Sequence, residues 1–355
     1  MSVPLFRPNL GDEEIEAVAR VLRSGQLTQG PGVRAFEAEF AAYQGAKYAV
    51  AVNSCTSALY LALKAHGIGT GSEVITSAIT WPATALAIEW TGATPVFADV
   101  DGRGLIDVAS VRTRITKDTA AIIPVHLYGN LAPVDDLRAL GLPLIWDAAH
   151  AIESWHDGPA GRISSVACYS FYASKNITTG GEGGMLITDN DAIAKYARRA
   201  RLFGMDLPDV RTCQQFGVKL NMTEMQAAIG RVQLRRITER WYSRVQIVRE
   251  YDASLGRGPT HDGGRPHGGT SACHLYPVQV EKRDEVAATL KTRGIGTGIH
   301  FPPVYAHPHF RGARGSDACP NADHFGARTL SLPLFPEMTP ADIDDVVTEF
   351  RAVTA

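Results

Sequence analysis

The chain has 355 residues, 45% of them hydrophobic and 20% charged, ordinary for a globular protein and enough for one large domain plus a smaller one. Thirty-five Lys and Arg against 37 Asp and Glu leave a formal charge of −2, so nothing general draws it to nucleic acid or an anionic membrane. No run of about 18 apolar residues occurs, and the opening MSVPLFRPNLGDEE has no apolar signal core; the chain reads as cytoplasmic, not membrane-spanning.

In chain order, Asp12 is placed to cap a helix over EEIEAVARVLRS that stops at Gly25. A second helix follows Pro31, with Val33, Phe36, Phe40 and Tyr43 on one face. Strand-like YAVAV (48–52), EVITS (73–77), TPVFAD (94–99), AAIIPVHL (120–127) and PLIWD (143–147) then alternate with helical TSALYLALKAHG (56–67), PATALAIEWTG (82–92) and VDDLRALG (134–141). This rhythm predicts an α/β fold, a mostly parallel sheet covered by helices on both faces. Ligands gather at the carboxyl ends of such strands, where Asn53, Thr80 and Asp147 lie. From Met222 a helical pattern runs to residue 255, long enough to bridge two domains, and a glycine-rich stretch at 256–271 reads as a surface loop or disordered insert. Beyond it, ACHLYPVQV, DEVAATLKTRG, IGTGIHF and a closing helix in TPADIDDVVTEFRAV predict a small α+β domain. There is no internal repeat.

Residues 166–172 are apolar, aromatic and β-branched enough for a buried strand. Ser174-Lys175-Asn176 and the glycines at 180, 181, 183 and 184 mark a loop before a second apolar run at 185–188. An ammonium between two such strands is costly unless it pairs, loses its proton or forms an imine, which makes Lys175 a candidate Schiff-base former. A lysine snorkelling to solvent is the commoner reading of such a segment alone. Asp147, however, closes the strand of LPLIWDAAHA, 28 residues earlier. Pyridoxal phosphate (PLP) enzymes use this pair: a lysine to hold the aldehyde and a carboxylate to keep the pyridine nitrogen protonated. Residues 54–57, ahead of an apolar helix, could cradle a phosphate with free amides and the Thr56 and Ser57 hydroxyls, or simply cap the helix.

The phrases SCTSALYLAL, GATPVFADVD, IIPVHLYGN, WDAAHA, SFYASKN, GEGGMLIT, KLNMTEMQAAIG and SLPLFPEMT together resemble the DegT/DnrJ/EryC family of sugar aminotransferases. The resemblance implies a fold type I PLP-transferase with a large domain at 12–240, a smaller C-terminal one at 241–355 and residues 1–11 packing near the latter. It implies Lys175 and Asp147 as catalytic residues, Trp81 stacked on the pyridine ring, His150 near the cofactor's phenolic oxygen and Ser170 on the phosphate. It further implies Lys219 and Asn221 reaching the partner's phosphate across a two-fold axis, so that a homodimer shares its sites. Thr28, His300 and Tyr305 stand as candidate substrate contacts. The implied reaction is ping-pong: L-glutamate converts PLP to pyridoxamine phosphate, which aminates a keto sugar carried on a nucleotide. Lys219-Leu220-Asn221 in place of N-x-R, with DAAH in place of DAAQ, looks more like the branch aminating carbon 4 than carbon 3.

Amination of a free keto-inositol uses nearly the same residues. A non-catalytic PLP-binding regulator would need an appended basic DNA-binding domain, and none is seen. Sugar 3-deoxygenating relatives replace the lysine by histidine, whereas Lys175 is present. Five scattered cysteines without C-x-x-C read as reduced thiols. His300, His307 and His309, interrupted by prolines, read as loop histidines rather than metal ligands.

Overall fold

The structure, a computed structural model, describes residues 2–155, 166–206, 212–256 and 270–354. The predicted glycine-rich insert lies mostly outside them.

Helix α1 (Asp12–Ser24) starts one residue earlier than predicted. Gly11, not Asp12, is the extended N-cap, and its amide is satisfied by the Glu14 carboxylate at 2.9 Å. Asp12, Glu13 and Glu14 therefore occupy the first turn, where negative charge suits the helix dipole. Gly25 ends the helix at φ +70°, a conformation glycine adopts without strain. Helix α2 (Pro31–Gln44) follows, then β1 (Tyr48–Val52), α3 (Cys55–Ala65), β2 (Glu73–Ser77), α4 (Ala83–Glu89) and β3 (Thr94–Ala98). Next come α5 (Val108–Arg114), β4 (Thr119–Ile123), α6 (Val134–Arg138), β5 (Ile145–Asp147), β6 (Val166–Ser170), β7 (Gly184–Thr188) and α7 (Asp191–Ala200).

Strands β3, β2 and β4 pair in parallel, as do β5 and β6, while β7 runs antiparallel between β6 and β1. Parallel bridges Ile122 to Leu144 and Val125 to Asp147 join the two groups, giving one sheet of order β3-β2-β4-β5-β6-β7-β1. The period of two sorts side chains onto its faces. Ala49, Ala51, Ala167 and Tyr169 join a core with Phe36, Phe40 and Trp146, while Val50, Val52, Val166 and Cys168 join another with Leu59, Leu63 and Ile88.

The long helical pattern after Met222 forms two helices, α8 (Glu224–Arg235) and α9 (Ile237–Leu255), separated at Arg236. Each has its own partner. α8 packs on α1 and α2, with Gly230 so close to Phe36 that a β-carbon would lie 2.6 Å from the ring, whereas α9 lies against α12 (Pro340–Thr354). Strand β8 (Tyr276–Gln279), α10 (Arg283–Thr292), α11 (Pro320–Arg328) and β9 (Thr329–Leu332) complete the C-terminal part, with β8 antiparallel to β9. Tyr251, Tyr276, Leu290, Leu332 and Phe350 share a separate core there with Val3. The N-terminal segment is tied to this part: the Gly296 amide donates to Val3 O at 2.8 Å and the Leu334 amide to Leu5 O at 3.1 Å. IGTGIHF forms no named strand and carries isolated bridges at Ile295 and Gly298.

Candidate active site

A cavity of about 570 Å³ opens at the carboxyl ends of β1, β5 and β6, beneath the N-terminal segment and residues 299–301. Lys175, Asp147, Trp81, His150, Ser170, Thr56 and His300 all line it. Loops separated by more than a hundred residues thus converge on one space because parallel strands put all their carboxyl ends on one edge.

Asp147 ends β5 and is buried. One carboxylate oxygen accepts the Thr84 hydroxyl at 2.8 Å and the other the Ala149 amide at 3.1 Å. Burial still raises its pKa, against these donors and the Lys175 charge. Opposite effects act on Lys175: burial lowers its pKa to about 8, partly offset by Asp147 and Cys55. The site therefore holds an amine that sheds its proton near pH 8 and a buried carboxyl group whose hydrogen-bond donors are neutral.

At the other end, Ser54 caps α3, its hydroxyl oxygen accepting the Ser57 amide at 3.1 Å. Cys55 and Thr56, in the first turn, line the cavity, and amides at a helix N-terminus have no acceptor within the helix. Gly184 makes room for this turn, since a β-carbon there would lie 2.4 Å from Ser54 C and 2.6 Å from Cys55 N. Ser57 is one step behind the cavity wall, its hydroxyl donating to Asn53 Oδ1 at 2.6 Å. Trp81 is 62% exposed at the rim, its ring 5.9 Å from that of Phe301.

His150 is buried near two rings, His274 at 4.4 Å and Phe301 at 6.0 Å. Its Nδ1 accepts the Tyr128 amide at 3.2 Å, which leaves the neutral ring's proton on Nε2. His300 Nδ1 lies 2.9 Å from the Ser331 hydroxyl, and burial with the Lys175 charge lowers its pKa to about 4.

Four other predicted residues lie off this cavity. Asn221 donates to Thr28 Oγ1 at 3.1 Å, beside the end of β1, where the Asn53 amide reaches Leu220 O at 2.8 Å. Exposed Lys219 sits over the Phe203 ring at 5.6 Å. The Tyr305 hydroxyl is engaged by Asp323 at 2.8 Å. Sequence reading missed Thr84, Tyr128 and His274. A histidine inside the apolar run ACHLYPVQV was a signal, but a threonine in an apolar helical turn was not.

A sequence profile of the DegT/DnrJ/EryC1/StrS aminotransferase family matches residues 8–351. The chain belongs to this family. It is 42% identical to the spore coat polysaccharide biosynthesis protein SpsC of Bacillus subtilis (strain 168), over 99% of this chain and 97% of that protein. Among solved structures, S. venezuelae DesV superposes with TM-score 0.94 at 36% identity, covering 99% of this chain and 98% of that one. The sugar aminotransferase Spr1654 of Streptococcus pneumoniae, described as putative and solved in a PLP form, superposes with TM-score 0.92 at 27% identity, covering 100% and 99%. The same protein is also known in a PMP form. This chain is thus an aminotransferase of fold type I from a sugar aminotransferase family whose members use PLP.

The cavity fits that cofactor. A buried carboxyl group held only by neutral donors suits a protonated pyridine nitrogen, a lysine near pKa 8 suits the aldehyde, and an open helix N-terminus suits the phosphate. Among the described residues no group of three metal-binding side chains occurs, no helix is long and apolar enough to cross a membrane, and all five cysteines are unpaired.

Proposed function

We propose that this aminotransferase moves the amino group of L-glutamate to carbon 4 of a nucleotide-linked keto sugar by a ping-pong sequence. The observation carrying this reading is the single cavity that brings Lys175, Asp147, His150 and the α3 N-terminus together. PLP would supply an electron sink for the carbanion formed when the donor's α-proton leaves. Lys175 is the residue that binds its aldehyde carbon and afterwards carries the proton on Nζ, as its lowered pKa allows. Asp147, whose carboxylate oxygens the Thr84 hydroxyl and the Ala149 amide hold, would accept the ring N–H. His150 would offer Nε2–H to the phenolic oxygen, Trp81 would cover the ring, and Thr56, Ser57 and Ser170 would hold the phosphate. His300 is assigned to the sugar substrate, as are Thr28 and Tyr305, both of which lie off their own chain's cavity. Stabilising charge with donors already in place supplies most of the acceleration.

The chain acts as a homodimer whose large domain ends near residue 240, and Asn221 and Lys219 serve the partner's phosphate. Their place outside their own chain's cavity supports this, as do the exposed Leu22, Leu27, Phe203 and Phe216, which a second copy would cover. The preference for carbon 4 rests on the Lys219-x-Asn221 and DAAH patterns. Incubating the enzyme and glutamate with matched nucleotide-linked 4-keto and 3-keto sugars and a free keto-inositol tests it. Amination of the 4-keto sugar is expected to be fastest; preference for either other acceptor overturns the assignment.

A further inference from the structure

We propose that Glu153, Asn176 and His274 form a positioning chain that holds the His150 imidazole in one orientation on the cavity wall, where the Tyr128 amide fixes its tautomer. The inference rests on the reading of His150 given above but concerns residues to which that reading assigns no role.

Asn176 follows Lys175 directly, and its side chain is buried. Its amide orientation is decided by the Ala272 carbonyl at 2.9 Å, which can only accept and must therefore face Nδ2. The same nitrogen donates to Glu153 Oε2 at 2.8 Å. Oδ1 is left for His274 Nδ1, 2.8 Å away, so that nitrogen donates and His274 carries its proton on Nδ1.

The held ring of His274 lies 4.4 Å from that of His150, inclined by 41°, and the Phe301 ring lies 6.0 Å from it at 26°. The two histidines are also tied to the two ends of one residue. Tyr128 donates its amide to His150 Nδ1 at 3.2 Å and accepts the His274 amide on its carbonyl at 3.0 Å. To do so it takes φ +61° and ψ 5°, unusual for a tyrosine, while its hydroxyl bonds the His300 carbonyl. Burial keeps both imidazoles neutral. The charged or titratable groups acting on the pair, Lys175 and His300 on both and Arg244 on His274, push the same way. His150 is consequently a fixed neutral donor that cannot compete with Lys175 for the migrating proton.

The first test reads tautomers directly. Long-range proton–nitrogen spectra of the full-length protein as purified, labelled with 15N-histidine and assigned with H150Q and H274Q, are recorded from about pH 5.5 to about 8.5. The chain requires His274 protonated on Nδ1 and His150 on Nε2, with neither titrating. A His274 protonated on Nε2, or on both nitrogens, overturns it. The spectra read the chain whether or not the bound group is PLP, so they fail independently of the functional reading.

The second test is a double-mutant cycle. Asn176→Ala is expected to lower kcat about tenfold while KM for glutamate changes by less than about threefold. In a His150→Ala background it should cost nothing further, because it acts through His150. Losses that simply multiply would mean that Asn176 is merely structural. If Asn176→Ala does not fold, the tautomers of the unmodified protein still decide.

Discussion

Burial lowers the Lys175 pKa and raises that of Asp147, each shift partly offset by the other's charge, and this has kinetic consequences at the residue scale. Capture of the PLP aldehyde requires the neutral amine, so uptake by cofactor-stripped protein should accelerate about tenfold per pH unit below pH 8 and level off above it. An unperturbed lysine would give a rate still rising beyond about pH 10. Stopped-flow absorbance distinguishes the two. Asp147→Asn keeps the shape and loses the charge, so turnover should fall about a thousandfold with the visible cofactor band retained. Unchanged kinetics would mean the ring nitrogen has another partner. Lysine and aspartate could be read from the sequence because each closes or follows a strand-like run, whereas Thr84 could not, since only the folded chain brings its hydroxyl, 63 residues away, to Asp147.

At the scale of elements, the phosphate end depends on β7 starting with a residue that has no side chain. The φ of Gly184 lies outside the left-handed region, so its constraint is contact with the first turn of α3. Gly184→Ala should therefore cost about 1–3 kcal/mol in urea unfolding and weaken PLP retention in dialysis, because the atoms it meets are backbone and cannot swing away. Full retention of both would show that the turn has slack. Most sheet strands were legible because their apolar runs and turn residues agree, but the apolar runs do not show the antiparallel place of β7 between β6 and β1. The break at Arg236 was not. Its apolar period continues through the junction, and only the separate partners of α8 and α9 divide it. Nor did the pattern show that Gly11 caps α1, since three acidic residues in succession all suit a first turn.

For the whole molecule, the proposed dimer predicts complementation between two inactive variants, Lys175→Ala and Asn221→Ala. If Asn221 acts in trans, a mixed dimer has one intact site, and random mixing makes half the dimers mixed, so co-expression should restore about a quarter of the unmodified activity. Mixed dimers with no gain over their parents would place Asn221 in its own chain's site or in none. The most direct test of the central claim needs no sugar. With glutamate alone, the purified enzyme should lose its visible band and release about one 2-oxoglutarate per chain, as one half of a ping-pong reaction, while Lys175→Ala releases none. No 2-oxoglutarate, or undiminished release by Lys175→Ala, would contradict the assignment of Lys175 and the chemistry built on it.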